Sequence, residues 1–243
     1  VSTTWTHELP IRWSDLDQLN HVTNVVYLDY ASEAQAVLCH EGHLDPGRPV
    51  ADVTVTYLRP IALSRTPLLL RSTLDESVLT QEVCVAKTAE PIVHATIVST
   101  YGDPSPEDLG MAHADSEPLD ARVRMTDLDA TGSVSLSGQF RLAQESRILH
   151  FARMGRERLG QFVVARISLQ PLAPIAWRLE PYRATSRITR VGGGSFTIDT
   201  TLATSTSPVF TSQTVLVGFD RETQSSRPFA NDEREHLLAQ LSP

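Results

Sequence analysis

The chain has 243 residues, 41% hydrophobic and 21% charged, with a formal net charge of −8. This is ordinary globular composition, and a negative balance of this size disfavours nucleic acid and anionic membrane surfaces as partners. The run Leu68-Leu69-Leu70 stops at Arg71, and no other apolar stretch approaches a membrane span, so membrane insertion is not expected.

Residues 8–13 alternate enough for a short strand that leads into an acid-rich turn. From 25 to 39, Val26, Tyr27, Tyr30, Ala34, Val37 and Leu38 recur at helical spacing, and Gly42 and Pro46 end the helix. Runs at 50–58, 67–74, 80–87 and 92–101 are rich in Val, Thr, Leu and Ile. They are broken by Pro60, by Asp75-Glu76-Ser77 and by Glu90-Pro91, the pattern of an antiparallel meander. Residues 102–120 hold prolines, glycines and acids without a period, which is linker composition. The order then recurs: a strand at 122–125, a helix at 139–154, and strands at 162–169, 182–189, 195–203 and 209–219, with Gly192-Gly193-Gly194 as a turn. A last helix, capped by Asn231 or Asp232, runs to about 241.

The recurrence extends to residues. Asp15-Leu16-Asp17 returns as Asp127-Leu128-Asp129, and Glu33 as Glu145, all at an offset of 112. Such internal similarity predicts a duplication, with units at 1–103 and 121–243 joined by a linker at 104–120. Each unit is near the commonest domain size. A long helix flanked by strands of one antiparallel sheet predicts an α+β fold in which the sheet wraps the helix, and two such units can pair side by side. Cys39 and Cys84 follow no disulfide or zinc spacing. Reduced thiols and a cytoplasmic protein are the expectation, as is the lack of a secretory signal, since no basic region followed by an apolar core opens the chain.

The first copy of the repeat concentrates Asp15, Asp17, Asn20, His21 and Asn24 where a strand meets a helix N-terminus. Unpaired N–H groups at such an end favour developing negative charge. A carboxylate aimed at the same point can act as general base toward water or attack a carbonyl itself. Substrates that pass through an oxyanion, thioesters among them, suit that pairing. Nothing else in the chain is as complete: it has no Gly-x-Ser-x-Gly elbow, phosphate-binding glycine loop or His-Glu-x-x-His helix, and the hydrolysis of a thioester by such a cluster implies no metal or redox cofactor.

Arg12-Trp13-Ser14-Asp15-Leu16-Asp17, then His21-Val22-Thr23-Asn24-Val25-Val26-Tyr27, with Glu33-Ala34-Gln35 further on, resembles the hotdog-fold thioesterases. The similarity is to their 4-hydroxybenzoyl-CoA thioesterase-like and acyl-ACP thioesterase branch. Tyr57-Leu58-Arg59-Pro60 and Arg227-Pro228 echo further landmarks of that family. The resemblance implies two tandem hotdog units forming an intrachain pseudo-dimer, and hydrolysis of an acyl-CoA or acyl-ACP thioester. It places Asp17 as base or nucleophile, an N–H near Asn24 as oxyanion donor, His21 and Asn24 as orienting groups, and Glu33 as a second carboxylate. Asn20, Tyr27 and Arg59 become substrate-binding candidates.

Two positions depart from the family pattern, Asn20 where it has Gly and Thr23 where it has Asn. Plainer readings stand beside these roles: Asp15 as a turn cap, His21 as a structural histidine, Glu33 as a helix-surface acid and Arg59 as a solvated arginine. In the second copy Ser133 replaces His21 and Leu136 replaces Asn24, which predicts a degenerate site. Alternative functions are a non-catalytic acyl-binding hotdog protein and a hotdog hydratase or dehydratase. The spacing Asp17-Gln18-Leu19-Asn20-His21, without a proline, argues against the latter. A homodimer is compatible with the fold, as is a monomer.

Overall fold

The computed structural model describes residues 3–18, 20–85, 91–103, 117–155 and 161–241. The chain divides into two compact units, Val1–Pro104 and Ser105–Pro243. Most of the expected linker lies outside the described residues.

The first unit contains β1 (Thr3–Leu9), a 3-10 turn (Trp13–Asp15), α1 (Val26–His40), β2 (Val50–Tyr57), β3 (Leu68–Asp75), β4 (Val78–Val85) and β5 (Ile92–Tyr101). Its strands are antiparallel in the order β1-β3-β4-β5-β2. Residues two apart point to one face of a strand, so Leu68 and Leu70, Leu79 and Val83, Ala95 and Ile97, and Val53 and Val55 form one buried surface. Against it α1 lays Tyr27, Leu28, Tyr30, Ala31, Ala34 and Leu38, and the two alanines let the helix approach closely. Gln81 interrupts this apolar face. Its amide is satisfied, donating to the Ala31 carbonyl at 3.0 Å and to Ser72 Oγ at 3.3 Å, and accepting from Gln35 Nε2 at 2.8 Å.

The second unit repeats the plan with β6 (Leu119–Ala121), a 3-10 turn (Met125–Asp127), α2 (Leu136–Arg153), β7 (Phe162–Pro171), β8 (Tyr182–Val191), β9 (Ser195–Ala203) and β10 (Pro208–Asp220). Strand order is β6-β8-β9-β10-β7, the same path as in the first unit. A two-residue β11 (Ser225–Ser226) pairs with β10, and α3 (Asn231–Ala239) follows. Here the helix–sheet interior is more polar: Ser186 and Thr200 share a 2.8 Å hydrogen bond, and Arg147 donates to Thr214 Oγ1. Apolar weight moves to Phe151, Phe162, Phe196 and Phe229, whose rings meet mostly edge to face.

Several boundaries differ from the sequence reading. The first strand ends at Leu9 because Pro10 has no N–H to continue the ladder, and Trp13 belongs to the turn. In the same way β6 precedes the expected strand, and Met125 lies in a turn. α3 is capped from within: Glu233 accepts the Ala230 N–H at 2.8 Å and pairs with Arg227, while neither Asn231 nor Asp232 supplies the cap. Cys84 is buried and Cys39 half-buried, both as free thiols. Among the described residues no helix is long and apolar enough to cross a membrane.

Candidate functional site

The strand-to-helix loop of the first unit is held by one buried carboxylate. Asp15 Oδ2 accepts the Arg12 N–H and the Tyr30 hydroxyl, each at 2.7 Å. Its backbone carbonyl accepts the Thr23 N–H at 2.9 Å. Burial, then the bond to Asp15, pushes the Tyr30 hydroxyl far above the usual tyrosine range, so it stays a donor. Asp15 therefore ties the loop's entry and exit to α1, with bonds of the charge-assisted kind worth about 1.5–3 kcal/mol.

Within that frame the loop doubles back. Asp17 N–H donates to the His21 carbonyl at 2.8 Å, and Asn20 N–H to the Asp17 carbonyl at 3.0 Å. The reversal needs φ = +61° at Asn20, left-handed backbone that Gly adopts freely and Asn best among residues with a Cβ. Asp17 Oδ1 then receives the His21 N–H at 3.0 Å. The carboxylate remains exposed and lines a groove of roughly 460 Å³ together with Trp13, Leu16, Gln18, Asn20 and Leu63. Trp13 is 77% exposed and Leu63 41%, so apolar walls stand open beside an acid.

The start of α1 adds donors. Val25, at the cap position, provides no side-chain cap, and among the described residues no group accepts the Asn24 N–H. Tyr57 holds this segment in place by donating its hydroxyl to the Asn24 carbonyl at 2.8 Å, with its ring edge-on to Tyr27 at 5.3 Å. A carboxylate, uncapped helix N–H groups and apolar walls are what activation of water and stabilisation of an oxyanion on an acyl substrate require.

Residues 1–82 match the family model described as the acyl-ACP thioesterase C-terminal domain. Solved structures with the same fold include a protein assigned as an oleoyl thioesterase from Lactobacillus plantarum (11% identity, 91% of this chain and 98% of that one, TM-score 0.65). They also include the 12:0-ACP thioesterase of Umbellularia californica (13%, 93% and 94%, TM-score 0.63) and an acyl-ACP thioesterase of Bacteroides thetaiotaomicron (10%, 88% and 97%, TM-score 0.55). By sequence, no curated protein matches the chain. The family-model match covers about a third of the chain, and the fold is shared with these structures over most of its length.

The acid-bearing turn occurs twice. In the second unit Asp129 N–H donates to the Ser133 carbonyl at 2.7 Å, Gly132 N–H to the Asp129 carbonyl at 3.1 Å, and Ser135 N–H to the Asp127 carbonyl at 2.8 Å. Gly132, the counterpart of Asn20, takes φ = +81°. The polar details diverge. Asp129 Oδ1 is occupied by the Thr131 N–H, the Thr131 hydroxyl and the Ser133 N–H, at 2.8, 2.6 and 3.3 Å. Ser135 Oγ caps α2 by accepting the Gly138 N–H at 3.1 Å. Gly138 permits this fit, since an added Cβ would stand 2.7 Å from the Asp127 carbonyl oxygen and 2.8 Å from Val134 Cγ1. As a result α2 begins two residues earlier than α1 once the 112-residue offset is applied.

The fold gathers some of the sequence candidates and separates others. Asp17 and Asn20 share the groove, and Asn24 stands at the start of α1. His21 reaches Asp17 through its backbone N–H. Tyr27 turns into the core at 2% exposure. Burial raises its hydroxyl pKa, an N–H from Ile61 lowers it, and the charge of Asp17 raises it further, so the phenol stands within the field of the acid although it forms no groove wall. Glu33 lies on the exposed face of α1, about 10 Å along the axis from Val26 at 1.5 Å per residue. Arg59 is exposed and donates its backbone N–H to the His94 carbonyl. Sequence reasoning missed Trp13 and Leu63 as walls and Tyr57 as a support. The tryptophan was visible beside the motif. Leu63 reaches the groove only because His21 and Ala62 form a β-bridge, which no local pattern announces.

Proposed function

We propose that the chain is an acyl thioesterase that hydrolyses acyl-ACP or acyl-CoA in its first unit, with Asp17 as general base or nucleophile. The observation that carries this reading is the Asp17 carboxylate, open to a groove with apolar walls beside the uncapped start of α1. In the general-base route Asp17 takes a proton from water, and the resulting hydroxide attacks the thioester carbon. The Asn24 N–H and its helix end stabilise the oxyanion. Collapse of the intermediate expels the thiolate, which recovers the proton from Asp17. In the nucleophilic route Asp17 attacks the thioester carbon and expels the thiolate, and water then cleaves the mixed anhydride, freeing Asp17 and supplying the proton that the thiolate takes up. The His21 N–H orients the carboxylate in both, and Asn20 lines the groove in which the acyl carbonyl rests, while the buried Tyr27 supports it from the core.

Two further parts of the proposal concern assembly and setting. The shared strand path of the two units supports a duplicated chain, read as an intrachain pseudo-dimer with a linker near 104–120, and a homodimer of such chains fits the same plan. Two free thiols suit a cytoplasmic setting. The test is thiol release from acyl-CoA and acyl-ACP substrates of graded length. Asp17→Asn should lower kcat/KM by about 10²–10⁴, the usual span for a general base; full activity in the variant defeats the assignment.

A further inference from the structure

The second unit has exposed apolar residues at the positions of the groove walls, although its helix α2, unlike α1, carries a side-chain cap. Met125 stands where the first unit has Trp13, and Trp177 where it has Leu63; they are 67% and 47% exposed. The Ser133–Ala176 bridge brings the loop carrying Trp177 against the Asp129 turn, as the His21–Ala62 bridge does in the first unit.

Arginines gather at this corner. Arg124 is exposed at the entry to the turn. Arg122 Nη1 donates to the Leu179 carbonyl at 2.8 Å, joining the strand exit to the Trp177 loop. Arg178 lies 3.9 Å over the Tyr182 ring, donates through Nη2 to the Pro181 carbonyl, and keeps a buried Nε with no hydrogen-bond partner. At the positions of Arg122 and Arg178 the first unit has Pro10 and Ser64. Overall charge follows the same division. The first unit has 6 Lys or Arg against 13 Asp or Glu, the second 15 against 16. Anions are therefore repelled far less by the second unit, and guanidinium groups are the side chains best suited to phosphate oxygens.

We propose that this corner is a second, non-hydrolysing site that holds coenzyme A, its phosphates on Arg122, Arg124 and Arg178 and its pantetheine arm along Met125 and Trp177. The choice of thiol carrier rests on the proposed thioesterase function. Coenzyme A carries a diphosphate and a 3′-phosphate to spread over several guanidinium groups, whereas a carrier protein presents one phosphodiester. Asp129, whose Oδ1 already accepts three hydrogen bonds, and the side-chain cap on α2 leave a bound thioester uncleaved there.

Calorimetric titration of the intact chain with free coenzyme A tests the site. Binding should weaken about tenfold or more in the double variant Arg124→Ala/Arg178→Ala, and should be retained in Asp17→Asn. Arg124→Ala alone, at an exposed position, should weaken binding in the same direction and guards against a collapsed Trp177 loop in the double variant. Acyl-CoA hydrolysis at saturating substrate should be unchanged in both arginine variants. No binding at millimolar coenzyme A, equal binding by wild type and double variant, or binding of holo carrier protein without coenzyme A overturns the proposal. A chain that cleaves no thioester yet shows arginine-dependent coenzyme A binding would remove the proposed hydrolysis and leave this site standing.

Discussion

Asp15 and Asp17 are two residues apart, and their surroundings give them different work. Asp15 is buried and holds a backbone N–H and a tyrosine hydroxyl, whereas Asp17 faces the groove with a backbone N–H to orient it. Removing the Tyr30 hydroxyl strands part of a buried carboxylate. Tyr30→Phe should therefore cost about 1.5–3 kcal/mol, read from urea unfolding, while lowering turnover much less than Asp17→Asn. Position 20 makes a related point. The sequence marks Asn20 as a departure from glycine, and the fold shows what the position demands, a left-handed residue closing the loop onto Asp17.

At the scale of elements, burial decides how the last turn of α2 responds to pH. A histidine near a helix C-terminus is ordinarily favoured as a cation, but burial, then Arg153, holds the His150 pKa below its usual 6.5. The unfolded chain takes that proton near pH 6.5, the folded chain only lower. The contribution of the neutral ring is thus full above that pH and lost as pH falls through the window beneath it. Thermal midpoints measured from pH 7.5 to 5 should decline, and His150→Gln should flatten part of that decline. Element order and the β3-β4-β5 meander were readable from periodicity, since Val, Thr and Leu alternate wherever one face is buried, but β2 pairs with β5 and not with β3 as a full meander would require. The Asp17 turn was readable from its cluster of polar residues. Less readable were features set by contacts distant in sequence. The edge strand β1, with its run of Thr3, Thr4 and Thr6, exists because β3 supplies its ladder, and the early start of α2 depends on Gly138 fitting against Asp127.

For the whole molecule, the repeat gives two copies of a backbone device and one proposed reaction centre. Asp129→Asn should leave kcat/KM within about twofold of wild type in the same thiol-release assay; a loss comparable to that of Asp17→Asn would mean that both units work. The chain's three tryptophans have a practical consequence. Trp13 borders the Asp17 groove, Trp177 borders the arginine corner, and Trp5 borders a small cavity of roughly 160 Å³ between α1 and the β1 edge of the sheet. Each indole stands at a different opening, so three variants that each retain a single tryptophan would make intrinsic fluorescence a site-resolved signal. A ligand that dries Trp13 would shift its emission to the blue and leave Trp177 unchanged, so occupancy of each opening could be followed in real time without a label.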